Sequence, residues 1–296
     1  MDFVSVSEIA KKWKVSGRMV RKYCSEGRVA GAFLVGKTWN IPSNAVKPER
    51  DKAKAVSDNI LLNVLTEQKT CGLSGGIYHK TQIEFAYNSN HIEGSTLTHD
   101  QTRFIFETNT VGADNGVINV DDVVETANHF KCVDYIIDNA LKPISEAMIK
   151  ELHYILKIGT SDSRKEWFNV GEYKKLPNEV GGQRTCSPEN VKDEIKRLLT
   201  DYNSIKQKSF EDILEFHKNF ESIHPFQDGN GRVGRLLMFK ECLANKIVPF
   251  IIDAEHKLYY YRGLQEWNEE RGFLIDTCLS CQDKYKAWLD YFKIKY

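Results

Sequence analysis

The amino-acid sequence predicts a mainly α-helical protein with a small mixed segment at its N-terminus. Two long stretches, 120–140 and 210–223, place apolar residues three and four positions apart, which is typical of a helix with one buried face. Few stretches alternate as a strand does, and the clearest of them, 32–41, turns at Gly36. At 296 residues, with 41% hydrophobic and 28% charged residues, the chain fits a globular protein of one or two domains.

The charge of the chain is unevenly distributed, although its formal net charge is +0. Residues 1–50 contain ten Lys/Arg against four Asp/Glu, so the rest of the chain contains 31 against 37. A basic first segment on an acidic body favours an anionic partner for that segment.

Two short helices are predicted before residue 27. Ser7 is placed to cap a helix over 8–13. Ser16 is placed to cap a second helix over 18–25, which Gly27 ends because glycine adopts the left-handed conformation without strain.

The hairpin at 32–41 follows these helices. The order resembles the winged helix-turn-helix modules of the excisionase and MerR type, in which Gly-x-x-Trp-x-Ile-Pro closes the wing, here residues 36–42. That resemblance implies a DNA-binding module over 1–46, whose second helix would enter the major groove. The basic residues expected to face DNA are Arg18, Arg21 and Lys22. The alternative is a small docking domain whose basic side chains are only solvated.

Residues 47–59 are predicted to form a linker, and helical spacing dominates beyond it. Thr98 marks a capped helix start, Pro143 stops the 120–140 helix, and Ser145 starts another helix that runs to Ile158.

The joint between the 210–223 helix and the next one carries the densest set of reactive residues, His224-Pro225-Phe226-Gln227-Asp228-Gly229-Asn230-Gly231-Arg232-Val233-Gly234-Arg235. A helix that opens at Gly-Asn-Gly presents free backbone N–H groups to an anion, and its glycines carry no Cβ to hold a phosphate away. Arg232 and Arg235 share one side of that helix and can clamp further phosphates. Asp228 offers an oxygen ligand for Mg²⁺, and His224 has the free pKa of a general base. Together these residues predict phosphoryl-type transfer from a nucleotide.

This stretch resembles the signature of the Fic family, His-Pro-Phe-x-Asp-Gly-Asn-Gly-Arg-x-x-Arg, whose usual activity is transfer of AMP from ATP to a protein hydroxyl. The resemblance covers 60–296 and implies a Fic-type helical bundle in which His224 is the base and Asp228 holds Mg²⁺. It implies that ATP phosphates are bound by Gly229, Asn230 (backbone and side chain), Gly231, Arg232 and Arg235. The alternative is a helix–loop–helix whose histidine only caps a helix.

A candidate brake lies around 78–94, where a predicted helix ends at Gly94. Ser89 and Glu93 share one face of it, and an acidic residue in the last turn opposes the helix dipole, which suggests a nearby cation. The stretch resembles the Fic inhibitory motif, Ser/Thr-x-x-x-Glu-Gly/Asn. That resemblance implies that Glu93 pairs with Arg235 and obstructs the γ-phosphate of ATP, whereas a surface glutamate without a role is the alternative.

Helical periodicity lapses between Gly159 and Ser187. Residues 171–174 and 180–185 resemble the β-hairpin flap of the family, which holds the target segment by strand addition, although Lys174 stands where Arg is common. The residues expected to face the target are Lys175, Leu176, Pro177, Asn178 and Glu179. The alternative is a loop without fixed structure.

Residues 259–264 resemble the family segment that borders the adenine, so Tyr260 and Tyr261 are expected at the nucleotide, where a tyrosine face suits any purine. They could equally be core and surface residues of a helix.

The chain has seven cysteines, no signal peptide and no apolar run of membrane-spanning length, which predicts reduced thiols and a cytoplasmic location without membrane contact. Cys278 and Cys281 form a lone CxxC, interpreted as two helical cysteines rather than a zinc site. The expected partners are ATP, Mg²⁺, DNA and a target protein, which can be the chain itself, and a homodimer is allowed.

Two other functions fit the sequence. The Fic-like domain could transfer UMP, a phosphate or phosphocholine, or remove AMP. The chain could also be chiefly a DNA-binding regulator whose Fic-like domain is a sensor.

Overall fold

A computed structural model describes residues 2–13, 15, 17–36, 38–48, 58–112 and 116–296, except the side chains of Arg18 and Gln183. The chain divides into two compact units, Met1–Val56 and Ser57–Tyr296. Most of the predicted linker, including 49–57, lies outside the described residues, as does the cap predicted at Ser16.

The described residues of the first unit form two helices and a three-stranded antiparallel sheet. Its elements are β1 (Phe3–Val4), α1 (Val6–Trp13), α2 (Gly17–Ser25), β2 (Phe33–Val35) and β3 (Thr38–Pro42). Strand β3 lies in the middle, with Val4 opposite Ile41 and Leu34 opposite Trp39. Helices and sheet share a small apolar core around Ile9, Val20 and Ile41.

The start of α1 corrects one prediction. Ser5, not Ser7, caps this helix: the Glu8 N–H donates to Ser5 Oγ over 3.3 Å, and the Ser5 N–H donates to the Glu8 carboxylate over 2.8 Å. The helix therefore starts at Val6, earlier than predicted. Strand β1 was not predicted, because two residues are too few to show an alternation.

The second unit contains ten helices among its described residues. They are α3 (Ile60–Cys71), α4 (Ile77–Ile92), α5 (His99–Thr108), α6 (Val120–Asp138), α7 (Glu146–Lys157), α8 (Val191–Ser204), α9 (Phe210–Ile223), α10 (Asn230–Ala244), α11 (Lys257–Gln265) and α12 (Gly272–Tyr291). Short 3-10 helices lie at Asp162–Arg164 and Ala254–His256, and a hairpin pairs β4 (Glu179–Val180) with β5 (Gln183–Arg184). In the described part of the chain, no helix is both long and apolar enough to cross a membrane.

The predicted caps account for several of these bounds. Thr98 forms a capping box with Gln101, and Ser145 accepts a hydrogen bond from the Met148 N–H. Ser209, which was not predicted as a cap, forms a second capping box with Asp212. Helix α6 ends at Asp138, before Pro143 is reached, so the proline does not stop it.

Helix α10 lies at the centre of the second unit and packs on α4, α6, α7 and α9. Its apolar side chains from Val233 to Leu243 are buried among residues of those helices. The polar start of the same helix is buried as well, with Arg232 at 4% and Arg235 at 2% exposure. Buried charges need partners, so the neighbours of these two arginines define the candidate site.

Candidate active site

The loop between α9 and α10 is held in a strained but well-supported conformation. His224 ends α9 with φ 51° and ψ 63°, a left-handed conformation, and Gly229 precedes α10 with φ 81°. Phe226 is fully buried, and its ring is parallel to that of His153 at 3.9 Å between centroids. This stacking anchors the loop to α7.

The side chain of Asn230 closes this loop. Its Oδ1 accepts from the Phe226 N–H over 2.8 Å, and its Nδ2 donates to the Phe226 carbonyl over 2.9 Å. Oδ1 and one N–H of Nδ2 are therefore used within the loop, which leaves the second Nδ2 N–H as the donor that this amide could offer a phosphate. Helix α10 also offers an anion its backbone: the first N–H groups of a helix lack intrahelical partners, and no side chain caps this one.

His153 ties the loop to α7. The Gly171 N–H donates to His153 Nδ1 over 2.8 Å, so Nε2 carries the proton and donates to the Asp228 carbonyl at 3.1 Å. Burial lowers the pKa of His153 to about 3, which keeps the ring neutral.

His224 has the protonation state that a general base requires. Burial lowers its pKa below the ordinary value, so the imidazole is neutral at pH 7. Its Nδ1 lies 3.3 Å from the Glu221 carbonyl, a pure acceptor, so Nδ1 carries the proton. Nε2 is therefore the basic nitrogen.

Arg235 is bound by residues at the end of α4. Its Nη2 donates to Glu93 Oε1 over 2.7 Å and to the Ser89 carbonyl over 2.9 Å, and its Nε donates to Ser89 Oγ over 3.0 Å. Although burial opposes the charge, the Glu93 carboxylate raises the pKa of Arg235 above its usual range. The three residues singled out in the sequence as an inhibitory set are thus in direct contact.

Gly231 makes room for this ion pair. A Cβ at this position would lie 2.3 Å from Glu93 Oε1 and 2.9 Å from Arg235 Nη1. The Glu93 carboxylate therefore sits against the first turn of α10, on the backbone that an anion would approach.

Arg232 faces a second group of acids. Its Nη2 lies 3.0 Å from Asp228 Oδ2, and its Nη1 contacts Glu125 of α6. Lys157, the last residue of α7, is 2% exposed and contacts Glu125 as well as Asp162 Oδ2 at 2.9 Å and Asp228 Oδ2 at 2.7 Å. Burial opposes the charge of this ammonium, but the carboxylates, Asp228 first, raise the pKa of Lys157.

These acids supply the donor chemistry that Mg²⁺ prefers. One carboxylate oxygen from each of Glu125, Asp162 and Asp228 lies within 4.8 Å of the others. Asp228 is the most open of the three, with a side chain that is 47% exposed, and it lines a cavity of about 290 Å³ that also borders Glu93 and Arg232.

Glu125, Lys157 and Asp162 were missed by sequence reasoning. A signal for Lys157 does exist, because it lies four residues after His153 on the buried face of α7, where an unpaired lysine would be costly. The identity of its partners depends on how α6 and α7 pack, which the sequence does not reveal.

The two tyrosines of α11 differ in exposure. Tyr260 is 1% exposed, and its hydroxyl lies 2.6 Å from His217 Nε2, so its ring has no open face and cannot stack on adenine in this conformation. Tyr261 is 38% exposed, so its ring is accessible.

The segment before β4 is tied to the His224–Asp228 loop through Lys174. The Lys174 N–H donates to the Pro225 carbonyl over 2.9 Å, and its buried Nζ donates to Asn178 Oδ1 over 2.7 Å and to Thr185 Oγ1 over 2.6 Å. Burial lowers the pKa of Lys174 to about 8.

The five residues expected to face a target are not equivalent. Asn178 turns inward, since its Nδ2 donates to the Phe226 carbonyl over 3.0 Å. The other four, Lys175, Leu176, Pro177 and Glu179, are exposed.

In the first unit, Arg21 and Lys22 are exposed on α2, and Lys22 Nζ lies 3.7 Å from Glu26. The side chain of Arg18, predicted beside them, lies outside the described residues.

The segment that contains this loop is similar to a known protein family. Residues 143–242 match the model of the Fic/DOC family. This part of the chain is similar to the Fic/DOC family. This region runs from just before α7 to the end of α10 and so includes Lys157, His224 and both buried arginines.

Relatives of similar sequence are named as enzymes. A protein adenylyltransferase Fic of Aedes aegypti is 28% identical over 190 residues, covering 63% of this chain and 37% of the relative. The chain thus spans little more than a third of the length of the curated relatives it matches.

Solved structures share the fold beyond the matched region. A Fic-domain-containing signaling protein from Bacteroides thetaiotaomicron has a TM-score of 0.59 at 27% identity, covering 78% of this chain and 90% of that one. Fic-1 from C. elegans has a TM-score of 0.61 at 21% identity, covering 79% and 72%, and supports the fold alone.

Replacing Lys157 with Met should destabilise the second unit by about 3 kcal/mol, because three carboxylates would lose a buried countercharge. Lys150→Met is the matched control: Lys150 is on the same helix and also contacts two acids, Glu146 and Glu172, but is 26% exposed. Its loss should cost less than about 1 kcal/mol. Urea unfolding measures both variants, and equal midpoints would contradict the assigned role of Lys157.

Proposed function

We propose that this protein is an autoinhibited protein adenylyltransferase. It transfers AMP from ATP to a Ser, Thr or Tyr hydroxyl of a protein, which can be this chain itself, and releases pyrophosphate. The observation that carries the proposal is the buried Arg235–Glu93 pair over Gly231, at the start of the helix that follows a neutral His224. The names of the relatives, protein adenylyltransferases, support the same chemistry.

The chain's own residues account for the parts of the reaction. His224 Nε2 accepts the proton of the target hydroxyl, whose oxygen forms a bond to the α-phosphorus. The bond from that phosphorus to the bridging oxygen breaks, and pyrophosphate leaves with the bonding electrons. The first N–H groups of α10 bind the α-phosphate, while Arg232 and Arg235 bind the β- and γ-phosphates.

Mg²⁺, held by Asp228 with Glu125 or Asp162 nearby, would neutralise phosphate charge when bound. In this conformation Lys157 and Arg232 balance the negative charge of Asp228 itself.

Glu93 restrains the reaction because it competes with ATP for Arg235. A carboxylate and a phosphate oxygen are both anionic acceptors, so Arg235 cannot bind the γ-phosphate while it holds Glu93 at 2.7 Å. Glu93 is 27% exposed, so water can receive it when it leaves.

Glu93→Gly should raise the rate of AMP transfer roughly 10- to 100-fold, since a hydrogen bond to a charged group contributes about 1.5–3 kcal/mol. Ser89→Ala is the graded comparison: it removes only the neutral hydroxyl acceptor of Arg235 Nε and should raise the rate less. Labelled ATP measures both rates, and mass spectrometry of the modified side chain separates AMP from UMP or phosphate. A Glu93→Gly protein no faster than wild type would show that Glu93 is not a brake.

His224→Ala in the Glu93→Gly background should lower AMP transfer by about 10²–10⁴-fold, because general-base catalysis is lost. Far-ultraviolet circular dichroism should show an unchanged fold. His99→Ala, which changes a half-buried histidine at the start of α5, is the control and should keep full activity. Undiminished labelling in the His224 variant would remove the base from the mechanism.

A second function, DNA binding by the first unit, is favoured by the exposed basic residues of α2 and the basic excess of residues 1–50. The helix–helix–hairpin order is compatible with a winged helix-turn-helix module.

The double variant Arg21→Ala/Lys22→Ala should weaken binding to duplex DNA from upstream of the protein's own gene. In gel-shift titrations it should also reduce the salt slope of the affinity by about two. Lys196→Ala/Arg197→Ala removes the same charge from an exposed face of α8 and is the control. Equal affinities for the two variants would exclude α2 as the DNA-contacting helix.

A further inference from the structure

A second cluster of ligand-type side chains lies between the Ala254–His256 turn and α12. It consists of Asp253, His256 and Cys281, and one ligand atom of each lies within 4.8 Å of the other two. Asp253 and His256 are half-buried, and Cys281 is 1% exposed. The nucleotide chemistry proposed above uses none of these residues.

The two chain segments that form this cluster are held together by polar contacts. Asp253 Oδ1 lies 2.7 Å from His256 Nδ1, and Asp253 Oδ2 accepts from Lys284 over 2.6 Å. His256 Nε2 lies 3.1 Å from Ser280 Oγ. The histidine ring is therefore fixed from both sides before any ligand arrives.

We propose that Asp253, His256 and Cys281 bind a transition-metal ion, with Zn²⁺ as the best match. A carboxylate oxygen, an imidazole nitrogen and a thiolate sulfur are the three donor types found at zinc sites, and a sulfur donor selects against Mg²⁺ and Ca²⁺. Asp253 caps the short 3-10 helix that ends at His256, and Cys281 reaches the cluster from α12.

The surroundings suit a fourth ligand and a second shell. A cavity of about 70 Å³ beside Asp253 and Cys281, also lined by Glu84 and Asn88, is large enough for a water molecule. When Nδ1 binds the ion, the ring proton moves to Nε2 and is donated to Ser280 Oγ, an arrangement that orients metal-bound histidines. Lys284 keeps Asp253 Oδ2, leaving Oδ1 for the ion, and also pairs with Glu255 at 3.0 Å.

The thiol proton of Cys281 leaves to solvent as the sulfur binds the ion, so no oxidant or reductant is involved. The bound ion would cross-link α12 to the segment that precedes α11. Helix α11 carries Tyr261, the accessible ring proposed at the nucleotide, so the site would brace that wall of the pocket.

Cobalt substitution tests the site directly, without nucleotide or activity. Full-length protein titrated with Co²⁺ should develop a thiolate-to-cobalt charge-transfer band that saturates at one ion per chain and disappears when Zn²⁺ is added. Cys281→Ser should abolish the band. Cys278→Ser is the matched control, because Cys278 lies one turn earlier on α12, is equally buried and is outside the cluster, so the band should persist.

His256→Ala provides an independent measurement should Cys281→Ser fail to fold. This half-buried change should weaken Co²⁺ binding at least tenfold while the circular dichroism spectrum stays unchanged. Absence of the band in wild type, full amplitude in Cys281→Ser, or unchanged affinity in His256→Ala would each overturn the proposal. None of these outcomes depends on whether the protein transfers AMP.

Discussion

The need to pair a buried guanidinium organises the second unit. Helix α10 is surrounded by apolar side chains, yet it carries Arg235 at 2% exposure, and an unpaired charge there would cost several kcal/mol. Glu93 and Ser89 meet that need, which fixes how the end of α4 lies against the start of α10. The same carboxylate occupies the anionic position that the proposed substrate needs. The contact between Arg235 Nη2 and Glu93 Oε1 thus stabilises the resting state and, in the proposed reaction, blocks the nucleotide.

Arg232 and Lys157 are also buried cations that need acidic partners, and they find them on the other side of the helix. Two cations and three carboxylates form a network in which Asp228 is the most exposed member. The Mg²⁺ proposed above would have to exchange with Lys157 or Arg232, because these cations occupy the same carboxylate oxygens. The cavity over Asp228 is where that exchange would take place.

Local signals were enough to predict much of the fold. Helix α9 has the bounds predicted from its apolar spacing, and Thr98 and Ser145 begin helices because their side chains cap the first turn. Ser7 was a wrong choice because two serines, two residues apart, offer similar caps, and only the Ser5–Glu8 pair closes a box. At the site, the sequence motif identified the loop residues. It could not show that the Asn230 side chain hydrogen-bonds within its own loop, or that the Tyr260 hydroxyl contacts His217. Both facts depend on the three-dimensional packing.

The buried Lys174 links the hairpin to the loop that carries His224, and Asn178 adds a second link through the Phe226 carbonyl. Its backbone holds the carbonyl of Pro225, next to His224, while its ammonium holds Asn178 and Thr185 at the base of the hairpin. A polypeptide that pulls on the hairpin would therefore also shift the imidazole. In the reaction proposed above, recognition of the acceptor and alignment of the proton-accepting nitrogen would therefore be coupled, and a poorly fitting acceptor would lower turnover as well as binding.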